Sequence, residues 1–544
     1  MINIRINPVR LRRLSGYGGP CSGQPVKVAS NMKMTTKNRG SYLAWLHIAA
    51  VAAISWGTFA STGLAATYFV NETITDPLTS PTRFLGGHGT ANDIIYPGFT
   101  NNAGASINLA GGANIGTSTF PSSGGGWAMN SLIALGGNDG IYGANPATYG
   151  SLNLEARGNA LSLYGTGAGN LTGIYLKTLS AGGAGVSVDL ATTVKSVIDL
   201  KNTGTNSNGW FAAILAENRD TSSGSTLSVN LSNIDIRTES QSTGAPSAGR
   251  AAVYMEATGQ AATTFNAASS ATIETFGAWN QGVHVGSSPE SGSSATISNA
   301  GRITTHGDNS DGIWVFRQGS GSNTQITNTG SITVSGENSR AIHVEFAAGI
   351  TEITNAGTIE STGVGGYAIY VKTNTIDQRL KVTLLDGSQI TGDVYLGTAA
   401  DAKNRELAIG ATTQVIDGKV TLAGTSAWFS LAINDATDFG QLATQGIDIT
   451  DANLNVTLGA GFSFDEATDK YVAFDIITGS VTGEFANAVN GGIYSVGIYN
   501  FNVSYDDGVK LWLGAAPVPE SAAYAALAGL ALLVFAALRR RRRP

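Results

Sequence analysis

A chain of 544 residues exceeds what one compact core ordinarily accommodates, so several domains or a stacked repeat are expected. Its 71 glycines suggest disorder, but 42% hydrophobic against only 13% charged residues excludes a largely disordered chain. Between residues 67 and 538 there are 19 basic residues against 38 acidic ones, which argues against nucleic-acid binding and suits solubility outside a cell.

Residues 1–66 read as a signal region. They carry eight Lys and Arg and no acid, followed by an apolar stretch from Tyr42 to Ala60 and then by Gly63-Leu64-Ala65-Ala66. Basic, apolar, small is the order of a secretory signal, with cleavage by signal peptidase expected near Ala65 or Ala66. The basic part is long, so either the signal is extended or translation starts at Met32 or Met34 rather than Met1; an uncleaved membrane anchor is the alternative reading. The single cysteine, Cys21, lies here, which leaves the body with no disulfide and no thiolate metal site.

Residues 67–150 hold short apolar runs without a clean repeat and read as an irregular N-terminal cap with the first coils, since terminal units of a solenoid are atypical. From 151 to 380 a repeat emerges, and it is sharpest between Ile297 and Val371. Ile297, Ile303 and Ile313 are followed by Ile326, Ile332 and Ile342, then by Ile353, Ile359 and Ile369. The internal spacings are 6 and 10 residues in every copy, and the copies are offset by 29 and 27. Asn-x-Gly recurs at Asn299, Asn328 and Asn355, and a second glycine at Gly307, Gly336 and Gly363. A period in this range marks a stacked architecture. The expected fold is therefore all-β, a right-handed parallel β-helix in which each coil of about three short strands sends alternate Ile and Val into a shared core. At about 28 residues per coil, residues 150–400 are expected to hold roughly nine coils. Gly and Asn are expected at corners that need a positive φ, and the stacked asparagines are expected to bond along the axis as a ladder.

Residues 381–516 lose the period but keep strand-like runs. The segments Phe439–Leu442, Leu454–Gly461, Val472–Ile477 and Tyr505–Leu511 resemble the closing coils of autotransporter passenger domains, and the 297–371 copies resemble passenger repeats. No β-barrel segment follows, so self-transport is not expected. Residues 517–544 carry a different address: Val518-Pro519-Glu520, seventeen apolar or small residues from Ala522 to Leu538, then Arg539, Arg540, Arg541, Arg542 and Arg543. Seventeen residues is the short end for a membrane-spanning helix, and the basic cluster would hold the terminus on the cytoplasmic side of the inner membrane. This three-part order resembles the PEP-CTERM sorting signal of Gram-negative bacteria, with Ser521 where that family usually has a second proline. The resemblance implies processing by an exosortase-type membrane protease and delivery to the cell surface or extracellular polymer; a plain C-terminal anchor is the alternative.

Chemistry is hard to find in the body. Asp308 and Glu337 should stack one coil apart as solvated corner charges, and Asp311 and Arg340 should pair across coils. A pair of carboxylates at a set separation would be needed for glycoside hydrolysis, and His306 is isolated from any zinc-like spacing. No nucleophile, base, metal or cofactor set stands out. One column invites recognition: Tyr175, Tyr254, His284, Trp314, His343 and Tyr370, each the middle residue of an Ile-x-Val-like strand and so facing away from the core. Tyr254, His284, Trp314, His343 and Tyr370 form the best candidate stripe. Its rings either pack on one another and stiffen the stack or meet sugar faces of an extracellular polysaccharide. The expectation is a secreted, surface-sorted, non-enzymatic protein, structural or adhesive, without cofactor; the alternative is a β-helix polysaccharide lyase or glycosidase.

Overall fold

The computed structural model describes residues 66–515 apart from 70–71, 81, 86–104, 121–129, 137–150, 169, 179–182, 206–209, 243–248, 288–292, 317–321, 346–348, 373–378 and 399–403. The signal region up to residue 65, the motif Val518-Pro519-Glu520, the apolar stretch and Arg539 to Arg543 lie outside the described residues. Contacts separate Met1–Thr62 from Gly63–Pro544, and the description concerns the second unit.

About two thirds of the described residues are strand, and almost none are helix. Their order is that of a parallel β-helix-like solenoid, because each strand pairs in parallel not with the next strand but with its counterpart one coil on. Three ladders result. In the first, Ser294–Asn299, Ser322–Asn328, Gly349–Asn355 and Arg379–Leu384 pair in turn. The second runs through Arg302–Thr305, Ser331–Val334, Thr358–Ser361 and Gln389–Thr391. The third runs through Ile313–Phe316, Arg340–Glu345, Tyr367–Lys372 and Asp393–Gly397.

This register follows from the sequence pattern. Alternation turns every second side chain inward, and the inward residues of paired strands fall one above another. Ile297, Ile326, Ile353 and Val382 form one buried column; Ile303, Ile332, Ile359 and Ile390 a second; Ile313, Ile342, Ile369 and Val394 a third. Each such side chain contributes roughly 1.5–3 kcal/mol by leaving water, an upper estimate because the unfolded chain is not fully extended.

The corners correct the sequence expectation about glycine. Gly301, Gly330 and Gly357 do not have positive φ; a Cβ there would meet the carbonyl oxygen of the previous coil at 2.4, 2.1 and 2.1 Å. The constraint is closeness of backbones, not handedness. Positive φ appears at the other corner, at Asn309 (54°), Asn338 (55°) and Gly365 (70°). A short polar side chain or none is what the left-handed region tolerates.

Coil length also departs from expectation. The third ladder carries eight strands between Leu171 and Gly397 among the described residues, not nine. Upstream coils are longer: Leu171 pairs with Phe211 and Phe211 with Arg250, offsets of 40 and 39. The ladders extend into the segment read as a cap, where Ala105–Asn108, Ala113–Phe120 and Asn130–Gly136 already pair with the coil above.

At the far end the pairing changes sense. Tyr471–Thr482 pairs in parallel with Gln441–Asp448, then antiparallel with Gly508–Gly514. A hairpin of Ile493–Val496 and Tyr499–Ser504 adds to that strand. The one described helix is the single turn Glu466–Asp469, N-capped by the Asp465 side chain on Ala467.

Candidate functional site

The asparagine column is a bonded ladder. Asn299 Nδ2 donates to Asn328 Oδ1 at 2.8 Å, Asn328 Nδ2 to Asn355 Oδ1 at 2.8 Å, and Asn355 Nδ2 to Ser388 Oγ at 2.7 Å. All four side chains are buried. The amide is suited to this because it donates and accepts at once, so Asn328 and Asn355 are bonded to the coils on both sides, while the buried Asn299 oxygen at the end of the ladder has no hydrogen-bond partner among the described residues. Asn328 also reaches the Thr358 carbonyl at 3.2 Å, which ties the ladder to the backbone corner.

The acidic corner column serves the backbone. Asp308 Oδ1 accepts the Glu337 N–H at 2.9 Å, and the third member, Val364, is 81% exposed. Asp311 is buried and does more than the expected pairing. Its Oδ1 accepts the Arg340 N–H at 2.8 Å and lies 3.8 Å from the Arg340 guanidinium, while Oδ2 is 2.6 Å from His343 Nδ1. The other His343 nitrogen faces Glu345 at 3.7 Å. His306, read as isolated, bonds Glu274 at 3.1 Å.

The ring stripe is outside the main core, as alternation requires, and its members are in register across coils. It is not, however, open to solvent. Tyr254, His284 and His343 are 7, 5 and 4% exposed, and Trp314 and Tyr370 are half-buried. Tyr254 and His284 stack at 4.4 Å between centroids, Trp314 meets His284 edge-on at 4.7 Å, and His343 stacks on Trp314 at 5.7 Å. Tyr370 follows edge-on at 5.5 Å, capped by the Arg340 guanidinium 4.8 Å above its ring, and Tyr395 extends the series at 5.1 Å. Each ring thus covers the next. Toward the N-terminal side, Leu215 fills the place between Tyr175 and Tyr254, and these pack with Ala134, Ala212 and Ala251 in a second apolar cluster.

Burial sets the protonation of this column. It depresses the His284 imidazole, with His343 as a lesser cause, to about 3, so the ring is neutral at ordinary pH. Burial, with Glu256 and Glu217 nearby, pushes the Tyr254 phenol well above its usual range. The phenol therefore stays protonated and donates to Glu256 Oε2 at 3.1 Å.

A different surface is open. On the outer face of the first ladder a cavity of about 470 Å³ is lined by Arg379, Asn404, Glu406, Trp428, Ser430 and Asn455, among others. It spans four successive strands, Arg379–Leu384, Asn404–Ile409, Ala427–Ile433 and Asn453–Leu458. Register places Arg379 and Asn404 in one outward column, Glu406 and Trp428 in the next, and Ser430 and Asn455 in a third. Trp428 is 40% exposed. Asn455 Nδ2 donates to Ser430 Oγ at 3.2 Å, and Glu406 lies 3.4 Å from Lys381. Behind this face Arg405 is buried, its guanidinium bonded to the carbonyls of Thr398 and Ala423 at 3.0 and 2.9 Å.

The sequence reading did not single out these residues. Partners there are 25, 22 and 25 residues apart, short of the period upstream, so that period no longer marks the register. The signal was the local alternation Ala427-Trp428-Phe429-Ser430-Leu431, which turns the indole outward between two buried side chains. Against known protein families, curated proteins and solved structures, the chain finds no match.

Proposed function

We propose that the chain is a secreted, surface-sorted β-helix protein that acts as a structural or adhesive component of the cell surface or extracellular polysaccharide matrix, not as an enzyme. The observation that carries this is the three-part order at its C-terminal end: Val518-Pro519-Glu520, an apolar stretch of spanning length, and five arginines. The signal region at the other end agrees in direction, with export by the general machinery and cleavage by signal peptidase. In this reading the tail enters the inner membrane transiently and is a substrate for an exosortase-type protease, and the solenoid is the right-handed form.

The body supports the same reading in its energetics. The acids raised by the sequence serve backbone N–H groups and neighbouring coils, and the ring and amide columns join coil to coil. An exported protein without disulfides in its body gains resistance to unfolding by such repetition. The test is fractionation of cells producing the chain with and without residues 517–544. The full chain should reach the surface fraction and the truncated one should be lost to the medium; equal release of both would sink the sorting role.

A further inference from the structure

The ring column, first choice for carbohydrate contact by sequence, is largely covered by its own members, whereas the Trp428 groove is not. We propose that this groove is the carbohydrate-binding site, with the Trp428 indole stacked on the flat face of one sugar ring and the flanking polar groups bonding its hydroxyls. The proposal deepens the adhesive reading above and rests on it.

The choice of ligand class follows from the donor set. Asn404 offers a donor and an acceptor, Asn455 keeps its oxygen and one N–H beyond its bond to the largely buried Ser430 hydroxyl, Glu406 accepts and Arg379 donates. A phosphate site would need converging cations without a carboxylate among them. An apolar peptide side chain would leave these polar groups desolvated and unpaired. A pyranose presents one weakly polar C–H face and a rim of hydroxyls that both donate and accept, which matches an indole bordered by amides, a hydroxyl and a carboxylate.

The shape points to a chain, not a single sugar. Three steps between four strands at ~4.8 Å give a groove of roughly 14 Å across the described strands. The groups that line it sit on rigid strands. Phe429 beside Trp428 is fully buried, and Ser430 and Asn455 hold one another, so the platform is formed before any ligand arrives.

The test is calorimetric titration of the purified full chain with two probes, a hexamer of β-1,4-linked glucose and a hexamer of galacturonate. Saturable binding of at least one is expected. Trp428→Ala should weaken it about tenfold or more, and Trp428→Phe, which keeps a ring, should retain most of it. A thermal melt of each variant separates loss of stacking from loss of fold. If neither hexamer binds at millimolar concentration, or binding is the same in folded Trp428→Ala, the proposal is overturned. The titration uses no cell and does not depend on tail processing, so failure of the sorting reading and failure of the groove are told apart.

Discussion

Replacing Asn328, the middle of the amide ladder, tests whether coils are held together by side chains as well as by backbone. In Asn328→Ala the Asn299 amide keeps only the Ser331 carbonyl at 3.4 Å, and the Asn355 oxygen keeps only the Gly357 N–H at 3.3 Å. Each buried group left poorly bonded costs about 1–3 kcal/mol, so the two together cost roughly 2–6 kcal/mol. Asn328→Asp keeps the shape but places an oxygen where the nitrogen was, facing the Asn355 oxygen and the Thr358 carbonyl. Burial and that facing raise the folded-state pKa above the unfolded value near 3.9. A raised carboxyl leaves its stability contribution intact below the unfolded pKa and removes it as pH rises toward the folded one, at about 1.4 kcal/mol per unit. Asn328→Asp should therefore approach wild type near pH 4 and fall well below it at pH 7, while the deficit of Asn328→Ala stays constant. Because solenoids open regionally, hydrogen exchange of strand amides in residues 294–361 at the two pH values is the assay. An Asn328→Asp protein as protected as wild type at pH 7 would mean that the amides are hydrated, and the ladder argument would fail.

Three further outcomes follow from the same geometry. Gly336→Ala would set a Cβ 1.9 Å from the Gly307 carbonyl oxygen and should cost about 1–3 kcal/mol or more, read as a lower melting temperature. Gly410→Ala, with nothing within 4 Å and no positive φ, should be neutral or gain up to about 1 kcal/mol; equal losses in both would contradict the close stacking of corners. His284, with a folded pKa of about 3 against 6.5, contributes stability that is complete above about pH 6.5 and is lost as pH falls toward 3. His284→Phe should accordingly lose less stability than wild type between pH 7 and pH 5 in denaturant titrations, and an identical loss would refute burial of a neutral imidazole.

The repeat at 297–371 could be read from the sequence because three separate demands recur in every coil: an inward β-branched residue, an amide at the ladder, and a corner too close for a Cβ. What could not be read was what lies on the outer face. Alternation put His284 and Trp314 outside the core, but a period of two tells which side a side chain takes and nothing of what the next coil lays over it. The glycines were placed correctly for the wrong reason, since a sequence does not distinguish a positive φ from a close approach. Upstream, the strand Phe211–Asn218 escaped, and with it Leu215 between Tyr175 and Tyr254 in the column already traced, because insertions lengthen those coils to about 40 residues. The Trp428 groove escaped for the opposite cause, coils trimmed below the period that had been learned from their neighbours.

The columns of isoleucine, amide and ring all run in the direction of the backbone hydrogen bonds, and this bears on how the molecule would fail under tension. A pull along the stacking direction loads three ladders and the side-chain columns of one interface together, so no bond is asked to carry the force alone. Once an interface parts, a coil of 27–29 residues in the central repeat pays out as slack chain, about 95 Å when extended. The next interface then meets the load afresh. A tether built this way yields in steps, absorbing work at each one, and re-forms from the coil that still stands.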